Sequence, residues 1–257
     1  MVIAKLSHSH HSLESEKPVN LLWTGGWDST FRLMQLLLVE KVAVQPYYII
    51  DYRRESIGME FKSMRYLRKK ITETYPETRK LLLPTIHSEL ESINPDKQIT
   101  ESYLKITTYR HLGDQYDWLT RFCKQHNIGK IEIAIEKFLD HNELSIFPYL
   151  YNPDDYPTFK KPDYYDIVKP ELDFLFGYFK IPLKDTTKPM MLQYAREKGW
   201  MNEIMDKTWF CYRPTRLNLP CGLCKPCEQV MDIRFGWRIP LHRRGLYYLR
   251  KWKRRIF

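Results

Sequence analysis

The sequence predicts an α/β fold in which helices flank a parallel β-sheet. Short runs of apolar and β-branched residues alternate along the chain with segments whose apolar residues recur at helical spacing, as in βαβ units. The chain has 257 residues, of which 43% are hydrophobic and 28% charged, so it is long enough to bury a core and is unlike disordered or collagen-like sequences. No apolar run reaches the roughly 18 residues of a membrane span, so a membrane-spanning helix is not expected.

Strand and helix signals follow one another closely in the first half of the chain. Residues 19–23 form a short apolar run and predict a buried strand, and residues 31–41 predict a helix from the spacing of their apolar side chains. Residues 42–50 are rich in β-branched and aromatic side chains and predict a second strand. Residues 57–75 predict an exposed amphipathic helix, and residues 81–83 predict a third strand.

The second half of the chain is less regular. Residues 101–126 predict a mostly helical segment, and residues 130–136, KIEIAIE, predict a strand. Residues 142–170 are rich in Pro, Asp and Tyr without a clean period, which predicts a long loop of the kind that is often functional. Residues 188–198 predict a further helix.

These signals divide the chain into four parts. We expect a flexible N-terminal tail at 1–18, an α/β domain at 19–208, a cysteine-rich segment at 209–235 and a basic C-terminal tail at 236–257. The N-terminal 18 residues have neither the apolar block of a signal peptide nor an Arg-rich amphipathic pattern. The sequence therefore predicts a cytoplasmic protein without a membrane partner.

Four of the five cysteines are closely spaced and have the pattern of a metal site. Cys211, Cys221, Cys224 and Cys227 fall within 17 positions, and the last three are spaced C-x2-C-x2-C. Thiolates at such intervals suit tetrahedral Zn2+, whereas a set of buried small hydrophobic residues would not need to cluster. Four protein ligands leave no position for water, so the predicted zinc is structural. Cys123 lies apart, within a helical pattern, and is expected in the core.

Positive charge is concentrated at the C-terminal end. The net charge is +10, no acidic residue follows Asp232, and eight basic residues lie between Trp237 and Phe257. Such a tail favours a polyanionic nucleic acid or an acidic protein as partner, through attraction that salt screens. A solvated helix face would have the same composition, so both interpretations remain open.

A pair of adjacent glycines marks a candidate phosphate site. Gly25 and Gly26 come directly after the first predicted strand and just before a helix. Glycine allows close backbone approach, and a helix start presents free N–H groups and the positive end of its dipole. Asp28 could hold Mg2+, and Ser29 or Thr30 could bond a phosphate oxygen. The alternative is a tight turn in which Asp28 or Ser29 only caps the helix.

The segment LLWTGGWDST resembles the S-G-G-x-D-S/T pyrophosphate loop of the ATP pyrophosphatase (PP-loop) family. This resemblance implies an adenine nucleotide α-hydrolase-like, Rossmann-like parallel sheet with helices on both faces. It also implies cleavage of ATP to AMP and pyrophosphate, with Thr24 in the place of the usual Ser. The residues that would bind ATP or pyrophosphate in the loop are Thr24, Gly25, Gly26, Asp28, Ser29 and Thr30.

A second resemblance narrows the first. The stretch TWFCY at residues 208–212, followed by PCGLCKPC at 220–227, is similar to the 7-cyano-7-deazaguanine synthase (QueC-type) family, in which four sulfurs hold zinc. The pair Asp51-Tyr52 matches that family's D-Y motif, and PLKDTTK at 182–188 stands where the family has a threonine-lysine stretch. Two differences are clear: Arg53 follows the D-Y pair, and residues 135–140 replace the family's base-recognition segment.

The second resemblance implies an ATP-dependent ligase. A carboxylate on a 7-deazapurine, such as 7-carboxy-7-deazaguanine, would be activated as an acyl-adenylate with ATP and Mg2+, and ammonia would convert it to an amide. A second ATP could then give the nitrile. The resemblance assigns Asp28 and Lys188 as catalytic residues and Asp51 as part of the ATP site, and it suggests a homodimer. A turn cap at Asp51 and a solvated lysine at 188 are the structural alternatives.

Three other functions remain open at the level of sequence. A related enzyme of an antiviral modification system would join the activated deazaguanine to an amine on a protein or nucleic acid. A tRNA-thiolating enzyme with the same loop would need a reactive cysteine near the adenylate, and only Cys123 lies outside the zinc set. A zinc-stabilised nucleic-acid-binding protein would bind with a steep salt dependence and without ATP.

Overall fold

The structure is a computed structural model that describes residues 17–109, 111–137 and 163–256, with side chains as far as residue 252. Residues 1–16 of the predicted tail and residues 142–162 of the predicted loop lie outside the described residues. Among the described residues, no helix combines the length and the apolar character needed to cross a membrane.

The described strands form one five-stranded sheet in which every pairing is parallel. Its spatial order is β3-β2-β1-β4-β5. The strands are β1 Val19–Leu22, β2 Val44–Ile50, β3 Ile86–Glu89, β4 Ile131–Glu132 and β5 Phe179–Lys180. The predicted α/β class with a parallel sheet is confirmed.

Eight α-helices are described between and after the strands. They are α1 Trp27–Gln35, α2 Ile57–Thr74, α3 Lys97–Tyr109, α4 Gln115–Gln125, α5 Tyr165–Phe176, α6 Lys188–Glu197, α7 Lys225–Asp232 and α8 Leu241–Ile256. Helix α1 begins four residues before the predicted helix, because Gly26 has extended backbone and serves as its N-cap. It continues as a π-helix, Leu36–Glu40, and stops at Lys41 in the left-handed conformation.

Two hydrophobic cores cover the two faces of the sheet. Successive residues of β2 belong to different cores, Tyr48 to the first and Ile49 to the second, because successive side chains of a strand point to opposite faces of the sheet. The first core joins α1, α2 and α6 to the cysteine segment, and the second joins α3, α4 and α5. Both faces of the sheet are therefore covered by helices.

The third strand lies further along the chain than predicted. Residues 81–83 make only a single bridge, between Leu82 and Val44, and the strand pairing begins at Ile86. Pro84 interrupts the intervening backbone, because proline has no N–H to donate to the sheet. The apolar run at 81–83 fills the core without extending the strand.

Strand β4 is shorter than the predicted strand at 130–136. Its register partner on β1 is Leu21, opposite Glu132, and β1 ends one residue later at Leu22. On its other side, β4 pairs with the two residues of β5. The sequence did not predict β5. The alternating pattern therefore continues past the point where pairing partners are available.

One helical prediction and one loop prediction were wrong in extent. The segment 101–126 is two helices, α3 and α4, because the chain turns at Gly113, whose carbonyl accepts from Tyr116 N at 3.2 Å. Part of the predicted loop at 142–170 is helix α5, whose residues Tyr165, Val168 and Leu172 are buried at helical spacing.

The C-terminal end is not a tail over its described length. Residues 241–256 form helix α8, which contacts α7 of the cysteine segment. The sequence reasoning followed the charge of this stretch, in which seven Arg or Lys residues are interspersed with as many apolar ones, and did not predict the helix.

Candidate functional site

The order of the strands places a crevice beside β1. From β1 the chain passes to β2 on one side, whereas β4 lies on the other side, so the strand order reverses between β1 and β4. In open parallel sheets, ligands bind outside the carboxyl ends of the strands at such a point. The glycine turn follows β1, Glu136 follows β4, and Lys188 begins α6; hydrogen bonds connect the three segments.

The glycine turn is tight because of its surroundings. Gly25 has φ +67°, and an added Cβ would lie 2.8 Å from Met64 Cγ. Gly26 is extended and is the N-cap of α1, with no side chain capping the helix. The alternative in which Asp28 or Ser29 caps the helix is therefore wrong, and the turn has a backbone that only glycine adopts without strain.

The backbone N–H groups of the turn are available. Within the described residues, none of the four successive amides from Gly25 to Asp28 donates to a protein acceptor. The carbonyl of Gly25, by contrast, accepts from Trp209 N at 2.9 Å and from Ser63 Oγ at 3.2 Å. The two hydrogen bonds to this carbonyl hold the turn in place. Free amides in such a turn, at the start of a helix, are the features of an anion site.

The hydroxyl groups of the loop differ in their surroundings. Ser29 Oγ lies 3.4 Å from both the amide N and the Oγ1 of Thr24, so these residues close the turn together. Thr30 is fully buried, and its Oγ1 accepts from the Trp23 indole N–H at 3.1 Å. Thr30 therefore braces the loop from the core side, while Thr24 is partly exposed.

A cluster of three ionisable side chains lies at the carboxyl ends of β1 and β4. Lys188 Nζ is 3.2 Å from Asp28 Oδ1 and also pairs with Glu136 Oε1. The Lys188 side chain is 18% exposed, so the alternative of a solvated lysine is wrong. Asp28 Oδ1 is buried and has no well-aligned hydrogen bond within the described residues, which leaves it an acceptor for a cation.

The cluster shifts the protonation of its members. Burial, followed by the negative charge of Asp28, raises the pKa of Glu136 to about 7, although Lys188 opposes the change. Burial alone would lower the pKa of Lys188, but the charges of Asp28 and Glu136 outweigh it and raise that pKa. Lys188 therefore stays cationic near neutral pH, while Glu136 titrates there.

Glu136 was missed by the sequence reasoning as a functional residue. In the sequence it belongs to the predicted strand at 130–136 and to the segment 135–140 that replaces a family motif. Its position at the end of the alternating run 130–136 was the available signal, because side chains at the carboxyl ends of parallel strands line the ligand crevice.

Asp51 lies at the end of β2 and has a local partner. Arg53 donates to its carboxylate from Nε at 2.8 Å, from Nη2 at 3.0 Å and from the backbone amide at 3.0 Å. These hydrogen bonds lower the pKa of Asp51. Within the described residues the structure does not bring the Asp51 carboxylate into the cluster of Asp28, so its predicted contact with ATP stays a prediction.

The four cysteines of the C-terminal segment come together. Their sulfurs all lie within 4.8 Å of one another, with Cys224 Sγ 3.8 Å from Cys211 Sγ and 3.5 Å from Cys227 Sγ. Four sulfurs around Zn2+, with bonds of about 2.3 Å, would be about 3.8 Å apart. The four residues fit a metal ion such as zinc, as the spacing predicted.

Backbone amides support the charge of these sulfurs. Cys221 N donates to Cys211 Sγ at 3.2 Å, and Cys224 N donates to Cys221 Sγ at 3.3 Å. Cys224 is also the N-cap of α7, and Cys227 lies in its first turn, where the helix dipole favours negative charge. The segment is therefore arranged to hold thiolates, the form that binds metal.

The cysteine segment holds the glycine loop in place. Trp209 donates its amide to Gly25 and its indole N–H to the carbonyl of Cys211 at 2.7 Å, so one residue joins the two sites. The rings of Trp27 and Phe235 meet edge to face at 5.0 Å. A metal in this segment would thus stabilise the loop without taking part in chemistry.

Arg238 was expected in a basic tail, but it lies inside this junction. Its guanidinium donates to the carbonyl and hydroxyl of Thr208, both at 2.6 Å, and lies between the rings of Trp27 and Phe210. Burial lowers the pKa of Arg238 to about 10. Nothing in the local sequence distinguishes it from the other basic residues nearby.

Cys123 is fully buried on α4 in the second core. Burial raises the pKa of its thiol to about 12, so it is not a nucleophile at neutral pH. This disfavours a thiolating enzyme that would depend on Cys123.

Comparison with protein-family models, curated proteins and solved structures finds no match to the chain. The described residues bring together a glycine turn with unfilled amides, a lysine between two carboxylates, and four cysteines that could hold a metal ion.

Proposed function

We propose that the chain is an ATP-dependent ligase that adenylates the carboxylate of a 7-deazapurine, such as 7-carboxy-7-deazaguanine, and then forms a C–N bond. The observation that carries the proposal is the run of four unfilled amides, Gly25 to Asp28, beside the buried cation of Lys188. Together they supply hydrogen-bond donors and positive charge for a polyphosphate at the reversal of strand order. The proposed fold is correspondingly adenine nucleotide α-hydrolase-like.

The loop residues would bind and orient the nucleotide. The amides from Gly25 to Asp28 would donate to the β- and γ-phosphate oxygens, which become the departing pyrophosphate. Asp28 Oδ1 is suited to Mg2+, which binds in such sites through one or two carboxylates and the phosphates and would neutralise their charge. Lys188 would exchange a carboxylate partner for a phosphate oxygen, since the polyphosphate carries more negative charge than either carboxylate.

The proposed reaction, which the resemblance implies, would use this placement. A substrate carboxylate oxygen attacks the α-phosphorus, and the bond to the bridging oxygen of pyrophosphate breaks, giving an acyl-adenylate. Ammonia then attacks the acyl carbon, AMP leaves, and an amide forms; a second ATP can activate the amide oxygen on the way to a nitrile. Positioning and charge stabilisation by the protein are the main contributions in such chemistry.

Glu136 is suited to proton transfer in the second step. Ammonia reaches the site largely as ammonium and must lose a proton before it attacks. A carboxylate whose pKa is raised to about 7 is a better proton acceptor near neutral pH than an ordinary glutamate. Its pairing with Lys188 holds it at the end of β4, on the same side of the sheet as the glycine loop.

The deazapurine substrate class comes from the resemblance of residues 51–52, 182–188 and 208–227. Residues 138–162, which follow β4, are outside the described structure, so base recognition there stays a prediction.

The test is product formation by the full-length chain. We expect AMP, pyrophosphate and the amide or nitrile when the zinc-loaded chain is incubated with ATP, Mg2+, 7-carboxy-7-deazaguanine and ammonia, measured by mass spectrometry. Asp28→Ala should abolish AMP formation and leave zinc content unchanged, because Asp28 is not one of the four residues that could hold the metal. Asp173→Ala, which removes an exposed carboxylate on α5, is the matched control.

Two results would contradict the proposal at different levels. AMP formation that persists in Asp28→Ala would remove Asp28 from the site. AMP formed with another carboxylic acid, but not with the deazapurine, would retain adenylation and reject the substrate.

A further inference from the structure

Helix α8 packs closely against the cysteine segment by one of its faces. Gly222, in the cysteine turn, has φ +78° and lies so close to α8 that an added Cβ would be 2.6 Å from the carbonyl oxygen of Arg243. Arg250 donates to the carbonyl of Leu223 at 2.6 Å, and Tyr247 is 7% exposed. The opposite face of α8 therefore points away from the cysteine segment.

That opposite face carries large apolar side chains in solvent. Leu241, Tyr248, Leu249 and Trp252 are 78%, 62%, 58% and 60% exposed. Their spacing of seven, one and three residues places them on a single stripe of the helix, with Gly245 between the first two. Such a row is more than isolated surface hydrophobic residues and marks an interaction surface.

The sides of the stripe are positively charged. Arg244 and Lys251 lie on one side by helical position, His242 on the other, and the sequence adds three basic residues at 253–255. Lys251 and Arg250 pair with Asp232 and Glu228 of α7, whereas Arg244 has no carboxylate partner among the described side chains. No acidic residue occurs in α8 itself.

We propose that the exposed face of α8 docks on an anionic lipid surface. A convex stripe of Leu, Tyr and Trp with basic residues on its sides suits a bilayer interface, where apolar and aromatic side chains enter and cations meet the headgroups. Tyr and Trp favour this depth because their rings have apolar bodies and polar tips. A nucleic acid would use the aromatic rings and the charge but gains nothing from Leu241 and Leu249.

This surface is separate from the proposed ATP site. The docking face is on α8, whereas the loop amides, Lys188 and Glu136 lie at the carboxyl ends of β1 and β4, so membrane docking and AMP formation can be tested independently. Docking would place the proposed ligase at a membrane surface, a partner that the sequence alone did not predict.

The experiment is co-sedimentation of the full-length, zinc-loaded chain with vesicles. We expect binding to mixed phosphatidylcholine–phosphatidylserine vesicles that weakens at high salt, and little binding to phosphatidylcholine alone. Leu249→Glu should lower the vesicle partition coefficient by about tenfold or more, because it removes an apolar side chain that would enter the bilayer and adds a negative charge. Leu217→Glu, at a Leu that is 79% exposed outside α8, is the matched control and should bind as the unmodified chain does.

Circular dichroism and zinc content should be the same for both variants, since each side chain is exposed. Equal vesicle binding by Leu249→Glu and the unmodified chain would overturn the proposal. So would an absence of binding to anionic vesicles at low salt. Self-association or RNA binding that is lost in Leu249→Glu, without vesicle binding, would assign the face to a second copy or to a nucleic acid instead.

Discussion

The raised pKa of Glu136 leads to a prediction about stability that does not depend on the proposed reaction. Its side chain is 15% exposed, and burial together with Asp28 raises its pKa from 4.5 to about 7. Because the folded pKa lies above the unfolded one, the stability from protonated Glu136 is fully present below pH 4.5 and is lost as pH rises through about 7. The two pKa values differ by about 2.5, which corresponds to about 3 kcal/mol.

The perturbation is Glu136→Gln, which keeps the shape of the side chain and removes its titration. Urea unfolding of both proteins, with zinc in excess, gives the free energy of unfolding at each pH from about 4.5 to 8. We expect the difference between variant and unmodified chain to shift in favour of the variant by about 3 kcal/mol over this range. The loss of the hydrogen bond to Lys188 adds a constant offset, so the slope with pH is the informative quantity.

Glu203→Gln is the matched control. Glu203 is exposed and its pKa is lowered by its hydrogen bond to Lys70, so it is ionised in both states above about pH 5 and its difference should stay flat. A flat difference for Glu136→Gln would refute the reasoning from burial. A shift in favour of the unmodified chain would show that Lys188 dominates and lowers the pKa of Glu136.

Two further predictions concern the loop and its support. Gly25→Ala should destabilise the chain by more than Gly199→Ala. Both residues have positive φ, so each substitution costs about 1–2 kcal/mol in backbone strain. Only at Gly25 would the added Cβ also lie 2.8 Å from Met64 Cγ, whereas nothing lies within 4 Å at Gly199. Urea unfolding of both variants measures this, and equal losses would contradict the tight packing of the loop. Removing zinc with a chelator should lower the free energy of unfolding by about 4 kcal/mol, compared with the chain at a free zinc concentration 1,000 times the Kd. It should also weaken ATP binding, measured by calorimetry, because the amide of Trp209 in the cysteine segment donates to the carbonyl of Gly25 in the loop. Unchanged unfolding after confirmed metal loss would contradict a structural metal.

The predictions that succeeded rest on neighbouring residues. The strand at 19–23, the glycine turn after it and the helix at 188–198 were located to within a few residues. The spacing of apolar residues and the position of a glycine each determine the conformation of the backbone nearby. The four sulfurs also come together as their spacing predicted, since C-x2-C-x2-C brings thiolates close through short turns.

The wrong predictions concern strands whose bounds depend on pairing and packing with segments elsewhere in the chain. Residues 81–83 read as a strand, yet Pro84 and the position of β2 moved the pairing to Ile86–Glu89. The run at 130–136 alternates throughout, but strand β4 ends where β1 stops providing partners. Neither outcome can be read from one segment, because a strand exists only together with its neighbour.

By itself, the sequence predicted the parallel α/β class, the position of the glycine turn and the four cysteines that come together, because each leaves a pattern of residue types along the chain. The tertiary structure alone decided that Glu136 and Asp28, 108 positions apart, share Lys188, that Arg238 braces the loop, and that α8 leaves an apolar face in solvent. Charge coupling and burial depend on distances in space, and only the fold sets those distances.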